Sequence, residues 1–122
     1  MEIYNNGNIV FDIGSVFLTE DYVNFVIKLK SYKFSGEHNF CVLKTGLKDV
    51  VKRLKDMYNC MDGEVVIQDY DSESFINFKF DKCKVLFCGQ FGSEIDDNVW
   101  KFKQQIDQTI IELLVVNLSN LL

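Results

Sequence analysis

Apolar and polar residues alternate from Val23 to Lys30, interrupted only at Val26. Val23, Phe25, Ile27 and Leu29 fall on one face, with Asn24, Lys28 and Lys30 on the other. A period of two over this length specifies an antiparallel strand with one face in a core, and it is incompatible with a helix. The period then changes. Leu47, Val50, Val51, Leu54, Met57 and Tyr58 recur at three- and four-residue spacing, while Lys48, Asp49, Lys52, Arg53 and Lys55 take the opposite side. That pattern predicts an amphipathic helix over 46–58. Strand-like segments return from 64 to about 106, and an almost wholly apolar helix is expected over 110–122. The order predicts an α+β fold: a mainly antiparallel sheet of about six to seven strands, with one central amphipathic helix and one C-terminal apolar helix packed on it.

Local signals fill in the outline. Short β-like runs at 8–12 and 15–19 flank Gly14, and Ser35-Gly-Glu-His38 reads as the turn after the alternating strand. Phe40, Cys41, Val42 and Leu43 form a continuous apolar run, which suggests burial on both faces. Thr45 is the expected N-cap of the first helix, and Gly63 is expected to end the turn after it. A meander follows: 64–69, a turn at 71–73, 75–80, a turn at 81–82, then 83–91 with Val85, Phe87 and Phe91 on one face. The polar loop 92–98 leads to a strand at 99–106 carrying Trp100, Phe102 and Ile106. Thr109 and Glu112 have the spacing of a capping box, with Asp107 able to cap one turn earlier. So apolar a helix must be covered, either under a sheet or in a dimer or partner groove.

The 122 residues suit one domain, 1–122, and 48% apolar residues supply a core without help from disulfides or metals. The four cysteines include no CxxC pair, and the chain has one histidine, so the expectation is buried free thiols, with no metal and no cofactor. The first residues lack a basic segment followed by an apolar one, and no apolar run reaches the roughly 18 residues of a membrane span. A cytoplasmic protein with no membrane contact is therefore expected.

Net charge is −5, which disfavours a protein that tracks phosphates, so no direct nucleic-acid partner is expected. The charge is segregated, +5 over residues 28–58 and −6 over 61–100. Such segregation fits either a mixed solvated surface or an acidic face that meets a basic partner. Signatures of catalysis are sparse. No GxGxxG or GxxxxGK[ST] loop occurs, and any Ser-His-Asp or Cys-His arrangement would need His38, which reads as a strand-edge residue. The Asp69/Asp71 and Asp96/Asp97 pairs have no visible apolar cleft to separate their titration. The Asp-x-Asp-x-Glu run at 69–73 lacks the glycine and distant glutamate of a calcium loop. A non-enzymatic protein is expected.

Several segments occur in a familiar order: YVNFVIKLKSY (22–32), LKDVVKRLKDM (47–57), FINFKF (75–80), KVLFCGQFG (84–92), and WKFKQQI followed by DQT (100–109). In this order the chain resembles the WapI-type immunity proteins of bacterial polymorphic toxin systems. The resemblance implies a cytoplasmic protein that binds and blocks a cognate toxin, with no catalytic residues. An acidic member would cover the substrate cleft of a basic nuclease toxin. The contacts this implies are Asp69, Asp71, Glu73, Glu94, Asp96 and Asp97, all expected on exposed loops. The alternative is a structural or oligomerisation domain without inhibitory action.

Overall fold

The computed structural model describes Met1–Leu122. Its first half is a meander of β1 (Glu2–Asn5), β2 (Ile9–Leu18), β3 (Tyr22–Ser31) and β4 (Phe34–Leu43), joined in that order. Helix α1 (Lys44–Cys60) carries the chain to a second meander, β5 (Glu64–Gln68), β6 (Phe75–Asp81), β7 (Lys84–Ser93) and β8 (Asn98–Asp107). Helix α2 (Thr109–Ser119) follows. The fold is α+β and every strand pairing is antiparallel. The strands number eight and divide into two four-stranded sheets, because α1 separates the two hairpin series. The short β1 had no counterpart in the sequence pattern.

The alternating residues do as their period requires. Val23, Phe25, Ile27 and Leu29 are buried, in one apolar cluster with Ile67, Phe78 and Phe87 of the second sheet. Phe11 of the first sheet contacts Phe78 of the second edge-on, with ring centroids 6.2 Å apart. Phe11, Phe25, Phe40, Phe78 and Phe87 are all fully buried, and each contributes about 1.5–3 kcal/mol of hydrophobic stabilisation. Twenty-nine buried apolar residues form one cluster drawn from both sheets and both helices.

The β4 strand runs across the end of the second sheet. Gly36 lies over Trp100 of β8, His38 and Phe40 pack on Phe91 of β7, and Cys41 bonds to Asp69 just past β5. This crossing accounts for two corrections. The hairpin turn between β3 and β4 is Tyr32–Lys33, with Tyr32 at φ 57°, and the Ser35–His38 stretch is strand. Its glycine serves a close approach, since a Cβ at Gly36 would come within 2.8 Å of the Trp100 ring. The 40–43 stretch is buried on one face only: Phe40 and Val42 point inward, while Leu43 is exposed.

Both helices start differently from their sequence signals. Thr45 lies inside α1, whose N-cap is Leu43 with no side-chain bond; the Asp21 carbonyl accepts the Lys44 N–H instead. Leu47, Val51, Leu54 and Met57 form the buried stripe, and Tyr58 is exposed. The Thr109–Glu112 capping box does not form. Gln108 is the N-cap without a side-chain bond, and Asp107 Oδ1 accepts the Thr109 N–H at 2.9 Å. α2 packs on α1 and β1, burying Ile110, Ile111, Leu114 and Leu118, with Leu113 and Val116 left exposed. None of the four thiols is fully buried. Cys60 and Cys83 are exposed because they fall at a helix end and in the Lys82–Cys83 turn, and Cys41 and Cys88 are half-buried. Gly14 lies within one continuous β2, whose register shifts between Gly14 and Phe17.

Gly89 sits inside β7, where an added Cβ would overlap the Phe75 carbonyl and approach Phe102 to 3.0 Å. We expect Gly89→Ala to cost about 3 kcal/mol through overpacking against backbone. The measurement is the urea midpoint, with the slope of the transition unchanged.

Candidate functional site

The expected partner-binding carboxylates come from two turns of the second sheet, 69–73 and 94–97. The β5–β6 and β7–β8 connections lie at the same end of the meander, and side chains tie them together. Gly92 donates its N–H to Ser74 Oγ at 2.9 Å, and Ser93 Oγ donates to Glu73 Oε2 at 3.1 Å. Asp71, Glu73, Glu94, Asp96 and Asp97 are exposed. The two turns therefore make one acidic surface.

Asp69 differs from the others. It is 3% exposed, so the expectation of loop exposure fails there. Its carboxylate is engaged inside the fold: Oδ1 accepts the N–H of Cys41 at 2.9 Å and that of Asp71 at 3.3 Å. Oδ2 accepts the Ser72 hydroxyl at 2.6 Å and lies 3.3 Å from His38 Nε2. The backbone completes the join, because Tyr70 N–H donates to the Cys41 carbonyl at 2.9 Å. A buried carboxylate with several donors is satisfied and braces whatever supplies those donors. Here it fastens β4 to the β5–β6 connection.

Ser72, His38 and Asp69 thus meet, but not as a nucleophilic triad. In a triad the carboxylate and the hydroxyl contact different imidazole nitrogens. Here His38 Nε2 faces both Asp69 Oδ2 and Ser72 Oγ, the latter at 3.2 Å, and the serine proton points to the carboxylate. The geometry suits a brace, with one imidazole nitrogen shared between the carboxylate and the hydroxyl. No group of three or more His, Cys, Asp or Glu side chains is placed to hold a metal ion.

Residues that sequence reading did not single out organise the site. The Gln68 amide donates to the carbonyls of Asp69, Ser72 and Ser74, curling the connection around itself. Ser72 Oγ also accepts the Ser74 N–H at 3.1 Å. The Asp-x-x-Ser-x-Ser spacing at 69–74 is a signal for such turn bonding. At the other turn Asp97 adopts φ 52°, a conformation that aspartate tolerates well. Glu94 pairs with Lys101 on β8. A hydrogen bond from Lys101, followed by its charge, holds the Glu94 carboxyl below the usual range. Burial, then the Asp71 and Asp69 carboxylates, pushes the Cys41 thiol up.

A separate groove of about 460 Å³ lies between Asp49 and Arg53 of α1 and Val66, Phe75 and Asn77 on the outer face of the second sheet. It contains none of the exposed acids of the two turns. Comparison with family models, with curated proteins and with solved structures finds no match to this chain. No helix is long and apolar enough to cross a membrane.

Two outcomes are expected. Asp69→Ala strands the half-buried Cys41 N–H and the His38 and Ser72 groups, so it should cost about 2–4 kcal/mol in denaturant unfolding. Glu94 should titrate below an ordinary glutamate by NMR and return toward that range in Lys101→Met. Because its folded pKa is the depressed one, the pair's contribution is present above the unfolded pKa. It disappears as pH falls through the folded value.

Proposed function

We propose that this chain is a protein-binding module that neutralises a cognate bacterial toxin in the cytoplasm by covering a basic surface with its acidic one. The observation that supports this reading is the fusion of two acidic turns into one exposed surface by the Glu73–Ser93 and Ser74–Gly92 hydrogen bonds. The turns hang from a buried brace centred on Asp69, so the carboxylates are presented by a fixed frame. Preordered charge spends less entropy on binding than charge on a loose loop, and it steers encounter with a basic partner. The resemblance in segment order to WapI-type immunity proteins supplies the kind of partner. A nuclease toxin has the basic substrate cleft that such a surface would fill.

The test is protection. The toxin domain encoded beside this chain in its host is expressed with and without it, and growth is scored alongside the affinity of the purified pair. Asp71→Lys with Glu73→Lys, and separately Asp96→Lys with Asp97→Asn, should each weaken binding by about tenfold or more and reduce protection. Asparagine is used at 97 because it accepts the positive φ found there. Full protection by both variants would show that the acidic surface is not the binding surface.

A further inference from the structure

The edge of β4 is open where the acidic surface begins. Of the outer strands, β1 has α2 packed against it and β5 has α1, and β4 touches α1 and β7 without pairing its outward backbone groups at Ser35–Asn39. The pairing of β4 with β3 is unbroken from Leu43↔Tyr22 to Phe34↔Ser31. Cys41 directs its N–H and C=O away from β3, to Asp69 and from Tyr70. Backbone direction alternates along an antiparallel ladder, so Ser35, Glu37 and Asn39 direct theirs the same way. No protein group meets these N–H and C=O groups. The brace at Asp69 thus closes one end of the edge and leaves the rest free.

This stretch faces a groove. Ser35–His38 form one wall of a space of about 280 Å³, and Phe91, Gly92, Asn98, Val99 and Trp100 form the other. Gly92 and Asn98 lie at the base of the 94–97 turn, whose last ladder pair is Ser93↔Asn98, so the acidic loop stands at the rim. Glu37 adds a carboxylate on the strand itself. Lys28 is paired with Glu37 at 3.9 Å and Lys101 with Glu94, while Lys30, opposite Ser35 in the ladder, has no ion-pair partner.

We infer that an extended, basic segment of a partner protein adds as a strand to the free edge of β4 at Ser35–Asn39. This deepens the protein-binding reading and rests on it. Main-chain bonds to three outward-facing residues would supply the pairing, and the acidic rim would select lysine or arginine on the incoming strand. Charge argues against a second copy as the occupant. Two β4 edges paired antiparallel about Glu37 would set like charges opposite one another, which is destabilising. The remaining open strand, β8, carries Lys101 and Lys103 and has the wrong sign for a basic segment.

The experiment titrates the isotope-labelled full chain with a blocked (Lys-Val)4 peptide, the same peptide N-methylated at every bond, and (Glu-Val)4. Amide shifts and hydrogen exchange are read by NMR. The Lys peptide should shift and protect the amides of Ser35, Glu37 and Asn39, and the Glu peptide should not. N-methylation removes the donors and keeps the charge, so it should weaken binding by about tenfold or more. Asn39→Pro deletes a free N–H without breaking a β3 bond and should weaken binding similarly with an unchanged CD spectrum. Equal binding of the N-methylated peptide, or shifts confined to residues 71–73 and 94–97, would overturn strand addition and leave the acidic-surface reading standing. No binding of the Lys peptide would overturn the inference, with the toxin protection assay still deciding the function separately. Protection of these amides that grows with protein concentration alone would overturn it in favour of self-pairing.

Discussion

One buried carboxylate holds the two halves of this molecule in register. Asp69 bonds to the Cys41 backbone, to Ser72 and to His38, and so ties an edge strand of the first sheet to a connection of the second. Aromatic packing brings the sheets together, but packing is tolerant of small slips. A charged group with fixed donors is not, because each misplaced donor becomes a buried polar group without a partner. The position of β4 across the end of the second sheet depends on this contact, and both acidic turns are built out from it.

The division of labour is spatial. Apolar residues on the inner faces supply the bulk of the stability through one continuous cluster. The end of the second sheet where β4 crosses is polar and hydrogen-bonded, and it places charge in front of an open strand edge. The brace and the binding surface are therefore neighbours. Charged side chains at the rim can vary without loss of core area, whereas a change at Asp69 alters the frame that presents them.

Much of the fold could be read from residue spacing. The alternation at 23–29, the helical stripe from Leu47 to Met57 and the Phe-rich meander each follow from periodicity, a local property of the chain. The errors share a cause in long-range contacts. Gly36 has the composition of a turn, but the space it leaves is needed by Trp100, far along the chain. Thr45 and Thr109 looked like caps, yet the Asp21 carbonyl and the Asp107 side chain occupy those roles. At the candidate site, the exposed acids at 71, 73 and 94–97 were legible because turns are polar. Burial of Asp69 was not, since its partners His38 and Cys41 lie 31 and 28 residues away. The division into two sheets was hidden for the same reason: alternation shows that a strand has a buried face, not which sheet that face meets.

The packing of α2 on β1 has a kinetic meaning. It joins the first strand to the last helix, so closing it restricts a loop nearly as long as the sequence, and contacts of such separation form slowly. Each meander has only short hairpin connections, so its own pairings close short loops. The β1–α2 corner spans both. It is thus the seam with the longest loop to close, and local opening there would expose the apolar face of α2.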